Sequence, residues 1–530
     1  MKTIKKIINR WTIGLAFLLL VYLIFNIFVL SKDNFYPLYD SAMTVEEGYR
    51  FAHTVIAGNF PHFYEAYNYA NPPYLSFLLM LNILVFGGNI DILMHTNLLF
   101  LVILMYSLYN LGKRIGDKSL GFAAVVVCLS FPAVFGMSRI MWHEFPLMCI
   151  MTLSYYLLFK TDYFKNTKYS FLWALTIACG FLIKFTLPIY IFVPMLIYVI
   201  KSFFESDNRR QLAIRLLSCF LIVLSITGWW YTKWLGQVIN LRMTEVATGS
   251  LQLFNNASYF YNFLCNSSIY APFFLLFIIS IPLLLLRPTF EKLIIMIGIF
   301  VPIVIFLIAP HASGFDSSRY FVPILPLIAL SIANLISLSP NKFSQYLIFF
   351  TLILLSCAQF LLVNFGFGDV LRLSENEFKN TTQAIVGQGK IVSYVSKVDP
   401  NEILDLLNRK KTQEETSILF LGDFTYIESC LRTERTRSAK HIKIIAEVGP
   451  IMGGVPQDTL DKACLLDSVE FVLALDESCL NNEEANAMYH TKYLSETVLA
   501  FNIKRGAYRK IAVFKDEFDN KIALFQRIIR

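Results

Sequence analysis

Charged residues are scarce in this sequence. They occupy 16% of its 530 positions, against about a quarter in soluble proteins, and hydrophobic residues occupy 56%. This balance excludes a soluble globular protein, and an aromatic content of 15% excludes a disordered chain. Only four of the nine cysteines lie outside apolar runs, and their spacing fits neither a disulfide scaffold nor a zinc site. The sequence therefore predicts a membrane protein.

Long apolar runs are plentiful. A bilayer crossing needs about 20 apolar residues, and eleven runs of roughly that length are bounded by charges or turns. The predicted spans are residues 11–30, 92–111, 119–137, 145–160, 169–184, 186–201, 211–233, 271–286, 292–309, 320–338 and 343–365. The first span follows a basic segment and no small-residue cleavage site comes after it, so we expect a retained anchor and a cytoplasmic amino terminus.

Lysine and arginine are unevenly distributed over the loops of this arrangement. The loops that lie on the same side of the membrane as the amino terminus carry most of these residues, as expected of cytoplasmic loops. Residues 72–90 are apolar but short for a span, so we place them at the outer interface, which makes the carboxyl terminus extracytoplasmic. Orientation thus accounts for most of the net charge of +8, and no nucleic-acid partner is expected. The predicted location is a bacterial plasma (inner) membrane.

The composition changes after Phe365. Residues 1–365 are predicted to form a polytopic α-helical membrane domain, and residues 366–530 a soluble, extracytoplasmic α/β domain. The outer loops of the membrane domain are residues 31–91, 137–145, 234–270 and 310–319. Strand-like runs at 391–395, 418–421, 442–445, 469–474 and 511–514 accompany helical patterns at 400–410 and 426–435. Their alternation predicts a largely parallel sheet.

Acidic residues draw attention in the first outer loop, because ionisable groups at membrane depth are costly and usually functional. Asp40 precedes a predicted surface helix from Thr44 to Gly58, and it is either a functional acid or a turn or capping residue. Thr44 and Glu47 have the spacing of a capping box, which favours a structural role for Glu47. Glu46 is a weaker candidate.

Basic residues mark the other outer loops. The candidates there are Arg139 and Glu144 in the second loop, Lys184 at an outer turn, Arg242 in the long loop, and Arg319 with Tyr320 at the start of the tenth span. Arg139 also suits an interfacial position in which only its charged end reaches water. If Lys184, Arg242 and Arg319 converge on one rim, they would form a phosphate site.

Seven sequence features occur in a telling order between about residues 10 and 340. They are the outer helix headed by Asp40, Asn71-Pro72-Pro73-Tyr74, Phe86-Gly87, Ser130-Phe131-Pro132 with Ser138-Arg139, Glu144-Phe145-Pro146-Leu147, Gly180-Phe181-Leu182-Ile183-Lys184, and Ser318-Arg319-Tyr320-Phe321-Val322-Pro323. This order resembles that of the GT-C membrane glycosyltransferases. Within them the sequence is similar to the protein-mannosyltransferase-like enzymes and the lipid A aminoarabinose transferase.

The resemblance implies inverting transfer of a hexose or pentose from a polyprenyl-phosphate carrier to a lipid, glycan or protein acceptor at the outer membrane face. It implies catalytic roles for Asp40 and Glu144. Glu46 and Glu47 stay alternatives, because the interval from Asp40 to Gly58 is longer than usual by about one helical turn. The implied phosphate-binding residues are Lys184, Arg319 and Tyr320, followed by Arg242 and Arg139. No cofactor is assigned, although a divalent ion, Mg²⁺ or Mn²⁺, could assist.

Two other classes of protein fit a chain with many spans. A transporter is one, but the sequence has no inverted repeat and no paired spans broken by glycine or proline. A non-catalytic receptor or assembly factor is the other, and it would leave Asp40 and Glu144 without a role. The identities of the sugar and of the acceptor follow from no pattern in the sequence.

Overall fold

The computed structural model describes residues 10–32, 40–58, 72–248, 257–258, 260–261, 263–286, 288–308, 317–339, 341–364, 400–410, 416–421, 442–448, 470–475, 507–515 and 521–528. The chain forms two compact units. The first comprises Met1–Ser31, Tyr67–Asn82 and Asp91–Val392, and the second Lys32–Ala66, Ile83–Ile90 and Ser393–Arg530. The predicted boundary at residue 365 lies outside the described residues and stays a prediction.

Helices make up almost all of the described part of the chain before residue 365. They are α1 (Arg10–Lys32), α2 (Asp40–Ile56), α3 (Tyr74–Phe86), α4 (Ile90–Met94), α5 (Asn97–Ile115), α6 (Lys118–Ser130), α7 (Pro132–Met137), α8 (Glu144–Lys160), α9 (Thr167–Ile183), α10 (Leu187–Phe204), α11 (Arg209–Thr248), α12 (Tyr270–Leu286), α13 (Phe290–Ile308), α14 (Leu325–Ala333), α15 (Leu335–Leu338) and α16 (Lys342–Asn364). A π-helical turn (Phe263–Ser268) precedes α12, and a 3₁₀ helix (Ser317–Ile324) leads into α14.

Each of the eleven predicted spans coincides with helix. Within the described residues, seven helical segments are long and apolar enough to cross a membrane. They are Trp11–Phe28, Ile92–Ile115, Leu187–Phe204, Arg209–Gly236, Phe290–Ile308, Arg319–Leu338 and Lys342–Asn364. The predicted multi-pass membrane protein is confirmed. The other four predicted spans are helices of 17 residues or fewer, so their crossing stays a prediction.

The packing of the first unit places α6 and α14 in its core. Every residue of α14 is buried, whereas Phe17 of α1 and Phe350 of α16 are 63% and 64% exposed. A Cβ atom on Gly121 would lie 2.3 Å from the carbonyl oxygen of Tyr109. Helices α5 and α6 therefore cross with their backbones in contact, which only small residues allow.

The surface helix predicted in the first outer loop is α2, in the second unit. Val45, Tyr49 and Ala52 are buried along one face, whereas Ile56 at the end of the helix is 70% exposed. The Tyr49 hydroxyl donates a hydrogen bond to the carbonyl oxygen of Gly88. The helix begins at Asp40 rather than at Thr44. Thr44 thus lies inside the helix, where it cannot be the N-cap, and the predicted capping box is wrong.

The carboxyl-terminal part contains α17 (Pro400–Lys410) and a five-stranded sheet. The strands are β1 (Thr416–Leu421), β2 (Ile442–Val448), β3 (Phe471–Leu475), β4 (Tyr508–Lys515) and β5 (Lys521–Arg527), in the order β2-β1-β3-β5-β4. Strand β1 pairs in parallel with β2 and β3, while β5 is antiparallel to β3 and β4. The α/β fold is confirmed, but the sheet is mixed, because β5 follows β4 directly and turns back beside it. The predicted elements at 391–395 and 426–435 lie outside the described residues.

Candidate active site

Glu144 is the first residue of α8, just before the predicted span 145–160. The loop before it is fixed by Asn97, whose amide Nδ2 donates to the carbonyl oxygen of Ile140 over 2.7 Å. The carboxylate is 1% exposed and occupies the first turn of the helix, where the backbone dipole favours a negative charge. The fold thus buries a carboxylate at a defined position.

Two cations reach this carboxylate from distant parts of the chain. Lys184 follows α9 in an extended conformation, and its Nζ atom lies 2.5 Å from Glu144 Oε1. Arg319, in the 3₁₀ helix, places its Nε atom 3.3 Å from the same oxygen. We call Lys184, Glu144 and Arg319 the Glu144 cluster. Lys184 and Arg319 thus meet at one carboxylate, while the side chain of Arg242, the third residue of the conditional phosphate site, lies outside the described part.

The electrostatics of the Glu144 cluster favour a bound anion. Burial by itself would raise the pKa of Glu144, but the charges of Lys184 and Arg319 outweigh it and lower the pKa to about 2. The carboxylate is therefore ionised at neutral pH and neutralises one of the two cations. Lys184 and Arg319 thus present two fixed cations at one buried carboxylate. Fixed ammonium and guanidinium groups bind phosphate and carboxylate groups strongly, so the cluster is suited to hold an anionic ligand.

Aromatic side chains surround the cluster. The Tyr320 ring lies 4.7 Å from Lys184 Nζ and stacks on Phe306 at 5.4 Å. Tyr190 donates a hydrogen bond of 2.7 Å to the backbone carbonyl of Tyr320, and Tyr155 donates one of 2.8 Å to that of Tyr190. These bonds link α8, α10 and the 3₁₀ helix, so Tyr320 and the adjacent Arg319 are held by the helix core.

Trp142 is a site residue that the sequence alone did not single out. The Arg319 guanidinium lies 5.5 Å from its ring centre. The ring is 1% exposed, and its Nε1 atom is buried without a hydrogen-bond partner in the described structure. A buried indole N–H usually has a partner, so this donor is available to a ligand. The sequence did contain a signal for it, because Trp142 stands two residues before the acidic Glu144 in a predicted outer loop.

A second group of charged residues lies on α2, in the second unit. Glu46 and Glu47 are both buried and share Arg50, at 3.1 Å and 3.0 Å. We call the two glutamates the α2 acidic pair. Burial raises the pKa of Glu47, Arg50 lowers it and Glu46 raises it, with a result of about 7. The Oε2 atom of Glu47 is buried without a hydrogen-bond partner among the described residues.

Comparison with known proteins finds one family model and several solved structures to which this chain is similar. The model of the dolichyl-phosphate-mannose-protein mannosyltransferase family matches residues 70–231, which include Glu144 and Lys184. The crystal structure of ArnT from Cupriavidus metallidurans bound to undecaprenyl phosphate is similar at 14% identity and a TM-score of 0.60, over 97% of this chain and 98% of that one. The crystal structure of the same ArnT in the apo state is similar at 13% identity and a TM-score of 0.58, over 95% of this chain and 97% of that one.

An oligosaccharyltransferase from Archaeoglobus fulgidus, crystallised with Zn and sulfate, is also similar. It has 11% identity and a TM-score of 0.51, over 93% of this chain and 72% of that one. No curated protein matches the sequence. The chain has the GT-C glycosyltransferase fold. The fold that the order of its motifs predicted is thereby confirmed.

The remaining predicted residues take different places in this GT-C fold. Arg139 lies over the Phe135 ring at 4.1 Å, and its Nε atom donates to the Phe135 carbonyl. Asp40 is the first residue of α2 and Arg242 lies in α11, but the side chains of both are outside the described part. Their roles stay predictions.

The sequence assigns no metal ligands, and it leaves undecided whether a divalent ion takes part. Among the residues that the structure describes, no three His, Cys, Asp or Glu side chains come together in a way that could hold an ion. Glu144 is engaged by two cations, and the α2 acidic pair shares an arginine. A divalent ion stays a prediction, and no step of the chemistry below depends on it.

Proposed function

We propose that this protein transfers a sugar from a polyprenyl-phosphate carrier to an acceptor at the outer face of the membrane, with inversion at the anomeric carbon. The observation that carries the proposal is the meeting of Lys184 and Arg319 at the buried Glu144. Next to them lies the Trp142 N–H, which has no hydrogen-bond partner among the described residues. The similar fold of ArnT, which was crystallised with bound undecaprenyl phosphate, supports a lipid phosphate as the anion.

The Glu144 cluster would stabilise the leaving group. When the bond between the anomeric carbon and the phosphate oxygen breaks, its electron pair passes to the phosphate and negative charge grows there. Lys184 and Arg319 are fixed donors that would meet this charge, and fixed donors in a dry site stabilise a transition state strongly. Glu144 would position both cations. With a pKa of about 2 it is too weak a base to take a proton from the acceptor.

A different carboxylate must then accept the proton of the acceptor hydroxyl as its oxygen bonds to the anomeric carbon. Glu47 has the properties of such a base, because a pKa of about 7 leaves it partly ionised at neutral pH and its Oε2 atom has no described partner. Asp40, which the resemblance favours, is the alternative. Attack from the face opposite the departing phosphate gives inversion in one displacement.

The test of this function is a comparison of membranes with and without the protein by mass spectrometry of lipid-linked sugars and outer-surface glycans. We expect a polyprenyl-phosphate-linked sugar to accumulate without the protein, while one glycan loses that sugar. Proton NMR of the product then gives the anomeric configuration. Identical donor and glycan profiles in both membranes would overturn the proposal, and a retained configuration would overturn the single displacement.

A further inference from the structure

A separate cavity of about 780 Å³ opens at the end of α6 that is remote from the Glu144 cluster. It lies between α1, α6 and α16, and the ends of α5 and α15 complete it. Its polar rim carries Lys113, Lys118 and Lys342. The volume falls within the range of small-molecule and lipid-headgroup sites, which is about 300–1,000 Å³.

The three lysines of this rim outnumber the acidic residues that line the cavity with them. No carboxylate in the part of the chain that the structure describes forms an ion pair with any of them, whereas the neighbouring Arg114 pairs with Glu291 at 3.5 Å. The lining also contains Asp117, the N-cap of α6, whose carboxylate accepts bonds from Leu120 N and the Ser119 hydroxyl. The cavity therefore has a surplus of two positive charges.

The floor of the same cavity is aromatic. The Trp11 ring lies 5.4 Å from Phe122 and 6.0 Å from Phe349, and the two phenylalanines are 6.3 Å apart. A Cβ atom on Gly14 would lie 2.8 Å from the Phe122 ring, so the glycine lets α1 approach closely. Trp11 and Phe349 belong to candidate membrane spans. The aromatic floor thus belongs in part to helices that are long and apolar enough to cross a membrane.

We infer that this cavity binds an anionic phospholipid, with its phosphate on the three lysines and the start of an acyl chain on the aromatic floor. Basic pockets between membrane helices are known to hold such headgroups. The positive-inside rule accounts for lysines at helix ends, but it does not account for a cavity that adds an aromatic floor. The inference does not rest on the proposed glycosyl transfer.

The test uses the full-length protein, purified in detergent and depleted of lipid, with native mass spectrometry as the readout. The probes are palmitoyl-oleoyl phosphatidylglycerol, phosphatidylcholine with the same chains, and glycerol 3-phosphate. We expect phosphatidylglycerol to bind best and glycerol 3-phosphate not to displace it. Changing Lys113, Lys118 and Lys342 to Gln should weaken phosphatidylglycerol binding by about tenfold or more.

The matched control changes Lys160, Lys165 and Lys168 to Gln, because these residues are predicted on the same membrane side but do not line the cavity. Binding should stay at the wild-type level in this control. Equal binding of the two phospholipids, displacement by glycerol 3-phosphate, or equal losses in both triple variants would each overturn the inference. If the first triple variant does not insert, the phospholipid comparison on the wild-type protein and the single Lys342→Gln variant decide.

Discussion

The Glu144 cluster and the α2 acidic pair both combine buried carboxylates with cationic side chains, but in opposite numbers. The cluster has one buried carboxylate between two cations, and the pKa of Glu144 falls to about 2. The pair has two buried carboxylates on one cation, and the pKa of Glu47 rises to about 7. Burial disfavours ionisation at both places. The ratio of charges thus decides whether a buried carboxylate holds cations in place or is poised to take a proton.

Removing the carboxylate from the cluster should have the largest effect. Glu144→Gln leaves Lys184 and Arg319 buried without their counter-charge, and loss of one partner from a buried ion pair costs about 3–5 kcal/mol of stability. The folded pKa of Glu144 is below its usual value. Its stabilising contribution is therefore present above the unfolded pKa and lost as the pH falls through about 2.

The measurement is thermal unfolding of the purified protein at neutral pH. The double variant Glu144→Gln with Lys184→Met removes one charge of each sign, and we expect it to regain part of the lost stability. Equal unfolding temperatures for Glu144→Gln and the wild type would contradict a buried ion pair at this position.

Removing Glu47, the carboxylate of the α2 acidic pair whose pKa is raised, should change the rate of transfer rather than the stability of the protein. Glu47→Gln is expected to slow transfer by about a thousandfold, within the range that general bases contribute. In the wild type the rate should rise as the pH passes through about 7, because the ionised form accepts the proton. The check is the initial rate as a function of pH, at matched amounts of folded protein.

The variant Asp40→Asn is the counterpart of this experiment. If Asp40→Asn abolishes transfer while Glu47→Gln keeps both the rate and the pH profile, the base is Asp40 and the raised pKa of Glu47 has no part in the chemistry. Glu46→Gln keeps Glu47 and the shared Arg50 but removes a charge that raises the pKa of Glu47. If Glu47 is the base, this variant should stay active and its pH profile should move to lower pH.

Changing the charge ratio of the cluster without removing its carboxylate should have a smaller effect. Lys184→Gln removes one of the two cations that contact Glu144, so one fixed donor to a phosphate is lost. We expect a loss of about a hundredfold in kcat, which is typical for one fixed donor to a developing negative charge. Lys233→Gln removes a lysine elsewhere in the first unit and should be near wild type. Equal rates for the two variants would remove Lys184 from the mechanism.

The sequence predicted the elements better than the contacts. Apolar runs were long enough to locate eleven helical segments, and motif order pointed to Glu144, Lys184 and Arg319. It could not show that Lys184 and Arg319 share one carboxylate oxygen, since these residues lie on three different segments of the chain. Strand β5 was missed because its five consecutive buried residues, Ile522 to Gln526, show no alternation of apolar and polar positions. Its place between β3 and β4 depends on pairing that no local pattern shows.

Trp142 shows the same limit and offers the smallest of the expected effects. Its N–H is a neutral donor beside the cluster, so its loss should cost less than loss of a charge. Trp142→Phe keeps an aromatic ring near Arg319 but removes the donor, and we expect about a tenfold loss in kcat/KM, in the range of one hydrogen bond to a charged group. The steady-state kinetics of Trp142→Phe and Trp142→Leu separate the two roles of the ring. If Trp142→Phe is fully active and Trp142→Leu is not, Trp142 acts only by packing under Arg319, and the N–H has no ligand.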